Sequence, residues 1–194
     1  LINSPADTIF FGGARGGGKA QPYDAHILTP CGFRLMGDMK AGDTISGRDG
    51  MPQRVIGVYD QGEQDIYEIQ FIDGAKTQCT LDHLWNVSKA SPLSKKHAGT
   101  SEPIFDWNVW TFGQIKKWLD EKLLLEKSKI SVKDRLLIPC MTNGDGNDEV
   151  TRQITGYRHV GKKQARCIAV SNPDSLYVTD DFIVTHNTYG IGVM

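Results

Sequence analysis

The chain has 194 residues, of which 39% are hydrophobic and 23% charged, and its formal net charge at pH 7 is −1. This length allows one domain with a sizeable core, and the composition is ordinary for a soluble globular protein. The near-neutral charge gives no electrostatic reason to expect nucleic-acid or membrane binding. No apolar run is long enough to span a bilayer, and no basic-then-apolar leader opens the chain, so a cytoplasmic setting is expected.

The four cysteines, Cys31, Cys79, Cys140 and Cys167, lie far apart in the sequence. Because no two of them form a C-x-x-C pair, neither a structural zinc site nor a disulfide framework is expected. We predict that the first three are small hydrophobic residues of the core. Cys167 is treated separately below.

An incomplete phosphate-binding loop lies near the start of the chain. Residues 7–11, DTIFF, have strand character, and residues 12–19, GGARGGGK, nearly match the Walker A pattern G-x-x-x-x-G-K-[ST]. In that loop, backbone N–H groups hold phosphates and the final hydroxyl binds Mg²⁺. Here Lys19 is followed by Ala20, which has no oxygen for the metal, and Pro22 opposes a following helix. The site as written therefore cannot bind ATP in the usual way.

The missing part of the loop occurs at the other end of the chain. Thr188 opens the segment TYGIGVM, which supplies the absent hydroxyl and the start of a helix. Removing residues 20–187 joins Lys19 to Thr188 and restores a complete loop, with Gly13 and Gly18 at its two glycine positions. The sequence thus predicts two host segments, 1–19 and 188–194, separated by an insert.

The insert has the pattern of an all-β domain. Short runs of Val, Ile, Leu, Tyr and Thr are divided by Gly, Asp and Pro, as is typical of many short antiparallel strands. The predicted strands are 42–45, 53–59, 66–72, Leu136–Pro139 and 176–184. One amphipathic helix is predicted at 111–125, with Ile115, Trp118, Leu119 and Leu123 on one face. Loops are predicted at 143–148 and 88–101.

The end of the insert carries a chemical signal, His186-Asn187 followed by Thr188. An asparagine amide can attack its own main-chain carbonyl, closing a succinimide and breaking the next peptide bond. The amide is a poor nucleophile and needs a proton donor, for which His186 has a suitable pKa. The hydroxyl of Thr188 can accept an acyl group.

Residues 20–187 resemble an intein of the Hedgehog/intein (HINT) fold. The resemblance rests on the terminal His186-Asn187-Thr188 and on Thr80-Leu81-Asp82-His83, which is similar to the intein motif T-x-x-H. It implies an all-β horseshoe of short antiparallel strands with one short helix. It also implies that Thr80 and His83 hydrogen-bond and strain the scissile amide at the Lys19–Ala20 junction. The restored Walker A loop resembles that of phage terminase large subunits, which would make the host a phage-encoded ATPase in a bacterial cell.

The first residue of the insert departs from the common intein pattern, because Ala20 cannot act as the Cys or Ser nucleophile that most inteins have there. Either a nucleophile has been replaced to trap the precursor, or the insert resembles the class 3 inteins. That class carries a Trp-Cys-Thr triplet, whose positions here hold Trp85, Cys167 and Thr185. Because Trp and Cys are rare residue types, the class 3 interpretation is favoured.

The class 3 resemblance implies a mechanism in which Cys167 attacks the Lys19 carbonyl and forms a branched thioester. Thr188 then takes over the acyl group, Asn187 cyclises, and a Lys19–Thr188 peptide bond forms. Trp85 is expected to pack beside the site and Thr185 to supply a hydrogen bond, although both could be ordinary core residues. Arg166 is a possible activator of Cys167, but neighbouring strand residues point to opposite faces.

The insert has no visible LAGLIDADG-type acidic motifs, so a mini-intein without nuclease activity is expected. It is predicted to act in cis as a monomer, with no cofactor, metal, nucleic acid or partner. Two other interpretations stay open: a P-loop ATPase fragment with a non-splicing β insertion, and a Hedgehog-like domain that cleaves without ligation.

Overall fold

The computed structural model describes residues 19–89, 105–125, 135–141 and 151–186. Within these ranges the chain forms a twelve-stranded antiparallel sheet and one α-helix. The strands are β1 Gln21–Pro22, β2 His26–Thr29, β3 Gly32–Leu35, β4 Thr44–Ser46, β5 Pro52–Phe71, β6 Lys76–Cys79, β7 Leu84–Lys89, β8 Trp107–Thr111, β9 Leu136–Pro139, β10 Thr151–Val170, β11 Leu176–Thr179 and β12 Ile183–His186, and the helix is α1 Phe112–Leu125. Short 3₁₀ turns occupy Met36–Asp38 and Asp180–Phe182.

Several predicted features lie outside the described residues. These are strand 7–11, the Walker A loop up to residue 18, the loop 143–148, most of the connection 88–101, and the residues Asn187 and Thr188.

Two long strands determine the architecture. β5 and β10 each run for 20 residues and pair with one another along almost their whole length. The sheet continues on both sides in the order β3-β2-β11-β12-β7-β9-β10-β5-β4, and β1 adds to β10. The result is an open, mostly antiparallel sheet, which confirms the predicted all-β class and the HINT fold.

The prediction of separate strands at 53–59 and 66–72 was wrong in one respect, because β5 runs through the polar residues between them. There β5 and β10 form a two-stranded ribbon, and backbone ladder bonds keep a strand extended even where its side chains are exposed. The predicted strand 176–184 is instead a hairpin, since the turn Asp180–Phe182 separates β11 from β12. Strand β9 and the helix were predicted almost to the residue.

The described core consists of two main apolar clusters. In the first, α1 packs Ile115 and Leu119 against Trp85 and other fully buried side chains. The second surrounds Met36 and Tyr177 and includes residues from the opposite ends of the long strands β5 and β10. Alternating burial along short strands and at i, i+4 on the helix explains why these sequences form these elements. None of the helices in the described part of the chain has the length and apolar character needed to cross a membrane.

The predictions for the three structural cysteines were partly correct. Cys79 and Cys140 are buried, as predicted. The prediction for Cys31 was wrong, because this residue is exposed in the tight turn between β2 and β3. Gly32 has φ +105°, which permits the tight turn, and side chains in such a surface turn are commonly exposed.

Candidate active site

Thr80 contacts both sides of Ala20, the first residue of the insert. The Ala20 N–H donates to Thr80 Oγ1 at 3.0 Å, and the Thr80 hydroxyl donates to the Ala20 carbonyl oxygen at 3.1 Å. The Thr80 N–H donates to the same oxygen at 3.0 Å. Ala20 itself is only 1% exposed. The nitrogen of the Lys19–Ala20 peptide bond is therefore fixed by a buried hydroxyl, and water has little access to it.

His83 lies three residues after Thr80 in the same turn and reaches the downstream end of the insert. Its Nε2 is 2.5 Å from Thr185 Oγ1, and Thr185 also donates weakly to the Leu84 carbonyl oxygen at 3.4 Å. Both side chains are buried. One turn thus contacts the residue after the upstream junction and the residue before His186.

Burial, together with a smaller effect of the neighbouring His186, lowers the pKa of His83 to about 3. The ring is therefore neutral near pH 7. Its Nδ1 is buried and has no hydrogen-bond partner among the described residues. Trp85 packs edge-on against this ring with 5.3 Å between centroids and is itself fully buried.

Cys167 lies on β10 next to the upstream junction. In the β1–β10 ladder, Gln21 is opposite Arg166 and Pro22 is opposite Ala165. Extending this register by one residue brings Ala20 opposite Cys167. Ala20 also clusters with Ala165, which shares its strand face with Cys167. The structure thus brings Cys167 to the same face of the sheet as Ala20.

Burial raises the pKa of Cys167 to about 11, although the charge of Lys19 opposes this shift. Arg166 has no such effect, because it points away and binds elsewhere. Its Nε donates to Asp60 at 2.6 Å, and its guanidinium stacks on the Tyr23 ring at 4.7 Å. The suggestion that Arg166 activates Cys167 is therefore wrong, because neighbouring residues on a strand point to opposite faces.

Two buried polar side chains beside the junction were missed by the sequence analysis. Gln21 is 0% exposed, and the Tyr177 hydroxyl donates to its Oε1 at 2.8 Å. Neither belongs to a motif. The sequence offers no signal for them, because the burial of both side chains depends on tertiary packing.

The downstream residues are only partly described. His186 ends β12, where it is opposite Leu84 of β7 and Leu176 of β11. Asn187 and Thr188 follow directly but lie outside the described residues. No set of His, Cys, Asp and Glu residues within the described ranges could hold a metal ion.

The architecture is that of intein splicing domains, and comparison with known proteins agrees. The crystal structure of the MchDnaB-1 intein matches with a TM-score of 0.58 and 25% identity, covering 87% of this chain and 100% of that chain. A scan against protein-family models finds no match.

Two curated helicases also match part of the chain. The replicative DNA helicase DnaB of Mycobacterium leprae (strain TN) is 33% identical over 85 residues, which are 43% of this chain. The DnaB helicase of Mycobacterium intracellulare is 35% identical over 103 residues, or 52% of this chain. The chain spans only 14% and 18% of the length of these two relatives. A match confined to a small part of a long helicase fits an inserted intein.

Proposed function

We propose that the chain is a precursor that splices itself, excising residues 20–187 and joining Lys19 to Thr188. The observation that carries this proposal is the pair of contacts made by one turn. Thr80 hydrogen-bonds the amide after the upstream junction, and His83 hydrogen-bonds Thr185 near the downstream junction. Splicing requires both ends of the insert in one place, because an acyl group must pass between them.

In the upstream step, the Cys167 thiolate attacks the Lys19 carbonyl carbon and the Lys19–Ala20 C–N bond breaks. The product is a thioester between Lys19 and Cys167, and the leaving nitrogen takes up a proton as the free amine of Ala20. Thr80 Oγ1 already touches that nitrogen and the Ala20 carbonyl oxygen. We assign Thr80 the role of holding the peptide and exchanging a hydrogen bond with the departing amine.

In the downstream steps, the Thr188 hydroxyl attacks the thioester, forming an ester and returning the Cys167 thiol. The Asn187 side-chain amide then attacks its own carbonyl carbon, closes a succinimide and releases the Thr188 amine. That amine attacks the adjacent ester to give the Lys19–Thr188 peptide bond. His186 donates and accepts the proton for Asn187 cyclisation. Each molecule turns over once, because the insert is consumed.

The use of Cys167 in place of a first-residue nucleophile corresponds to the class 3 mechanism. Two observations support it. The methyl group of Ala20 packs in an apolar cluster with Ile66 and Ala165. The pairing of Gln21 with Arg166 supports a position of Cys167 opposite Ala20, one residue further along the same ladder. The competing explanation, a first-residue cysteine changed to Ala20, predicts that Cys167 is dispensable once Ala20→Cys is made.

The host assignment rests on the restored loop alone. Joining Lys19 to Thr188 creates a complete Walker A motif, and we propose a phage terminase large subunit as the host. The two halves of the loop belong to separate segments before splicing, so ATP binding should appear only in the ligated product.

Mass spectrometry of a precursor with longer tagged flanks tests the proposal. A ligated flank product, together with an insert whose mass shows a C-terminal succinimide, is the expected result. Cys167→Ala should abolish the branched intermediate while leaving the Asn187–Thr188 bond open to cleavage. A precursor that stays intact at every pH and temperature would refute splicing. An intact precursor that binds ATP would favour the P-loop fragment instead.

A further inference from the structure

A saturated polar network surrounds the side chain of Gln21, the second residue of the insert. The Tyr177 hydroxyl donates to Gln21 Oε1 at 2.8 Å, and Gln21 Nε2 donates to Thr179 Oγ1 at 3.0 Å. The Thr179 hydroxyl in turn donates to the His26 carbonyl oxygen at 2.9 Å. Gln21 and Thr179 are fully buried and Tyr177 is 2% exposed. A buried network in which each member has partners fixes its side chains in one arrangement.

The network is attached to β1, a very short strand. β1 has only two residues, Gln21–Pro22, and such a short strand gains little from ladder bonds alone. Proline also removes one backbone donor from it. The side chain of Gln21 therefore supplies an anchor that the backbone of β1 cannot. This anchor lies one residue after the scissile Lys19–Ala20 bond.

Tyr177 also connects this anchor to the downstream end. On β11 it is the register partner of Thr185 on β12, and Thr185 contacts His83. Burial raises the pKa of Tyr177 well above its ordinary value, and a charge on the neighbouring Cys167 raises it further. The phenol therefore stays protonated and keeps donating to Gln21 while Cys167 reacts.

We propose that Gln21 and Tyr177 are positioning residues of the upstream acyl transfer, and that their hydrogen bond holds the Lys19–Ala20 peptide in register with Cys167. This inference rests on the proposed splicing function. Their effect is on geometry, and a displacement of about 1 Å at a reacting centre can cost on the order of a hundredfold in rate.

The test is Tyr177→Phe, which removes the hydroxyl and leaves the ring in the core. Upstream transfer is measured as branched thioester formed in an Asn187→Ala background with long flanks. Downstream chemistry is measured as Asn187–Thr188 cleavage in a Cys167→Ala background. We expect Tyr177→Phe to slow branch formation about tenfold or more and to change downstream cleavage by less than about twofold. Gln21→Leu should give the same split, and the double variant should be no slower than the slower single variant.

The matched control is Tyr157→Phe, because it also removes a tyrosine hydroxyl that donates a hydrogen bond. The Tyr157 hydroxyl donates to Asp120 at 2.5 Å on the side of β10 that faces the helix. Branch formation in this control should equal that of the parent. Thermal melting of Tyr177→Phe and Gln21→Leu shows whether the chain still folds.

Three outcomes separate the possible failures. If the parent splices and Tyr177→Phe forms the branch at the parental rate, the positioning role is overturned while splicing stands. If both steps slow equally and the melting temperature falls, the hydrogen bond serves stability alone and the inference is again overturned. If the parent forms neither branch nor ligated product, splicing itself fails and takes this inference with it.

Discussion

The buried His83 should make the folded chain sensitive to mild acid. In the fold, the pKa of His83 is lowered to about 3, whereas an exposed histidine in the unfolded chain titrates near 6.5. Between these two values the unfolded chain binds one more proton than the folded chain. The contribution of the neutral His83 to folding stability is therefore fully present above about pH 6.5 and is lost as the pH falls toward 3.

The size of the effect follows from this difference in proton binding. The free energy of unfolding should fall by about 1.4 kcal/mol for each pH unit inside that window, or about 2 kcal/mol from pH 6.5 to pH 5. The interval from pH 6.5 to pH 5 also lies above the range in which Glu68 changes stability, because hydrogen bonds from Arg158 lower the pKa of Glu68 to about 2. A carboxylate with a lowered pKa loses its stabilising effect only below its ordinary value, so Glu68 contributes little to the slope above pH 5.

The assay is urea unfolding at several pH values between 5 and 7.5, using a precursor blocked by Cys167→Ala and Asn187→Ala. His83→Gln places an uncharged amide near the position of Nε2, so its stability should lack the acid-sensitive slope. The difference between parent and variant should then change by about 2 kcal/mol across the window. His159→Gln is the control, because His159 pairs with Asp65 on the surface and is 51% exposed. A parent-minus-variant difference that is flat with pH would refute the reasoning.

Three further predictions follow from individual contacts. Thr80→Val removes the buried acceptor of the Ala20 N–H, so we expect a loss of about 1–3 kcal/mol in stability and slower branch formation. An unchanged rate of branch formation in a gel assay would contradict the role assigned to Thr80. The charge of Lys19 lowers the pKa of Cys167, so Lys19→Met should move the pH profile of branch formation to higher pH, whereas Lys19→Arg should not. Coincident pH profiles for the parent and Lys19→Met would exclude this electrostatic effect. Arg158 donates two hydrogen bonds to the buried Glu68 carboxylate, so Arg158→Met should lower stability in urea unfolding at pH 7 and have a much smaller effect near pH 2. A loss of stability that does not depend on pH would contradict this.

The strands that the sequence predicts best are short apolar runs whose side chains are mostly buried. β9, with three of its four residues buried, has the bounds that the sequence predicts. β10 was not found, because its first part is rich in polar residues and contains Gly156 and Gly161. These residues are extended because β5 provides a partner backbone, and the partner lies about ninety residues away in the chain. Local propensity contains no information about that pairing.

The turn between β11 and β12 was missed for a different reason. Asp181 and Phe182 adopt positive φ angles of 52° and 60°, which non-glycine residues rarely do. The sequence offers no glycine or proline there, and the apolar Phe182-Ile183-Val184 suggests that a strand continues. The turn depends on tertiary pairing, because β12 pairs with β11 and Thr185 lies opposite Tyr177.

The site residues divide in the same way. Cys167, His83 and Thr80 were predicted because their chemistry or their fixed spacing is visible along the chain. Gln21 was not, because its contact with Thr179 joins residues 158 positions apart and becomes evident only once β1 and β11 are folded. Sequence thus indicates the groups that can react, whereas the groups that hold them in place are defined by tertiary packing.

The fixed spacing of T-x-x-H has a physical reason in this fold. The His83 N–H donates to the Thr80 carbonyl oxygen at 3.2 Å, which closes a four-residue turn. From that turn, the Thr80 side chain reaches Ala20 and the His83 side chain reaches Thr185. The separation of these two contacts is therefore set by one local turn and not by the long strands. An added or lost residue within the turn would break one of the two contacts, whereas a longer loop elsewhere would leave both intact.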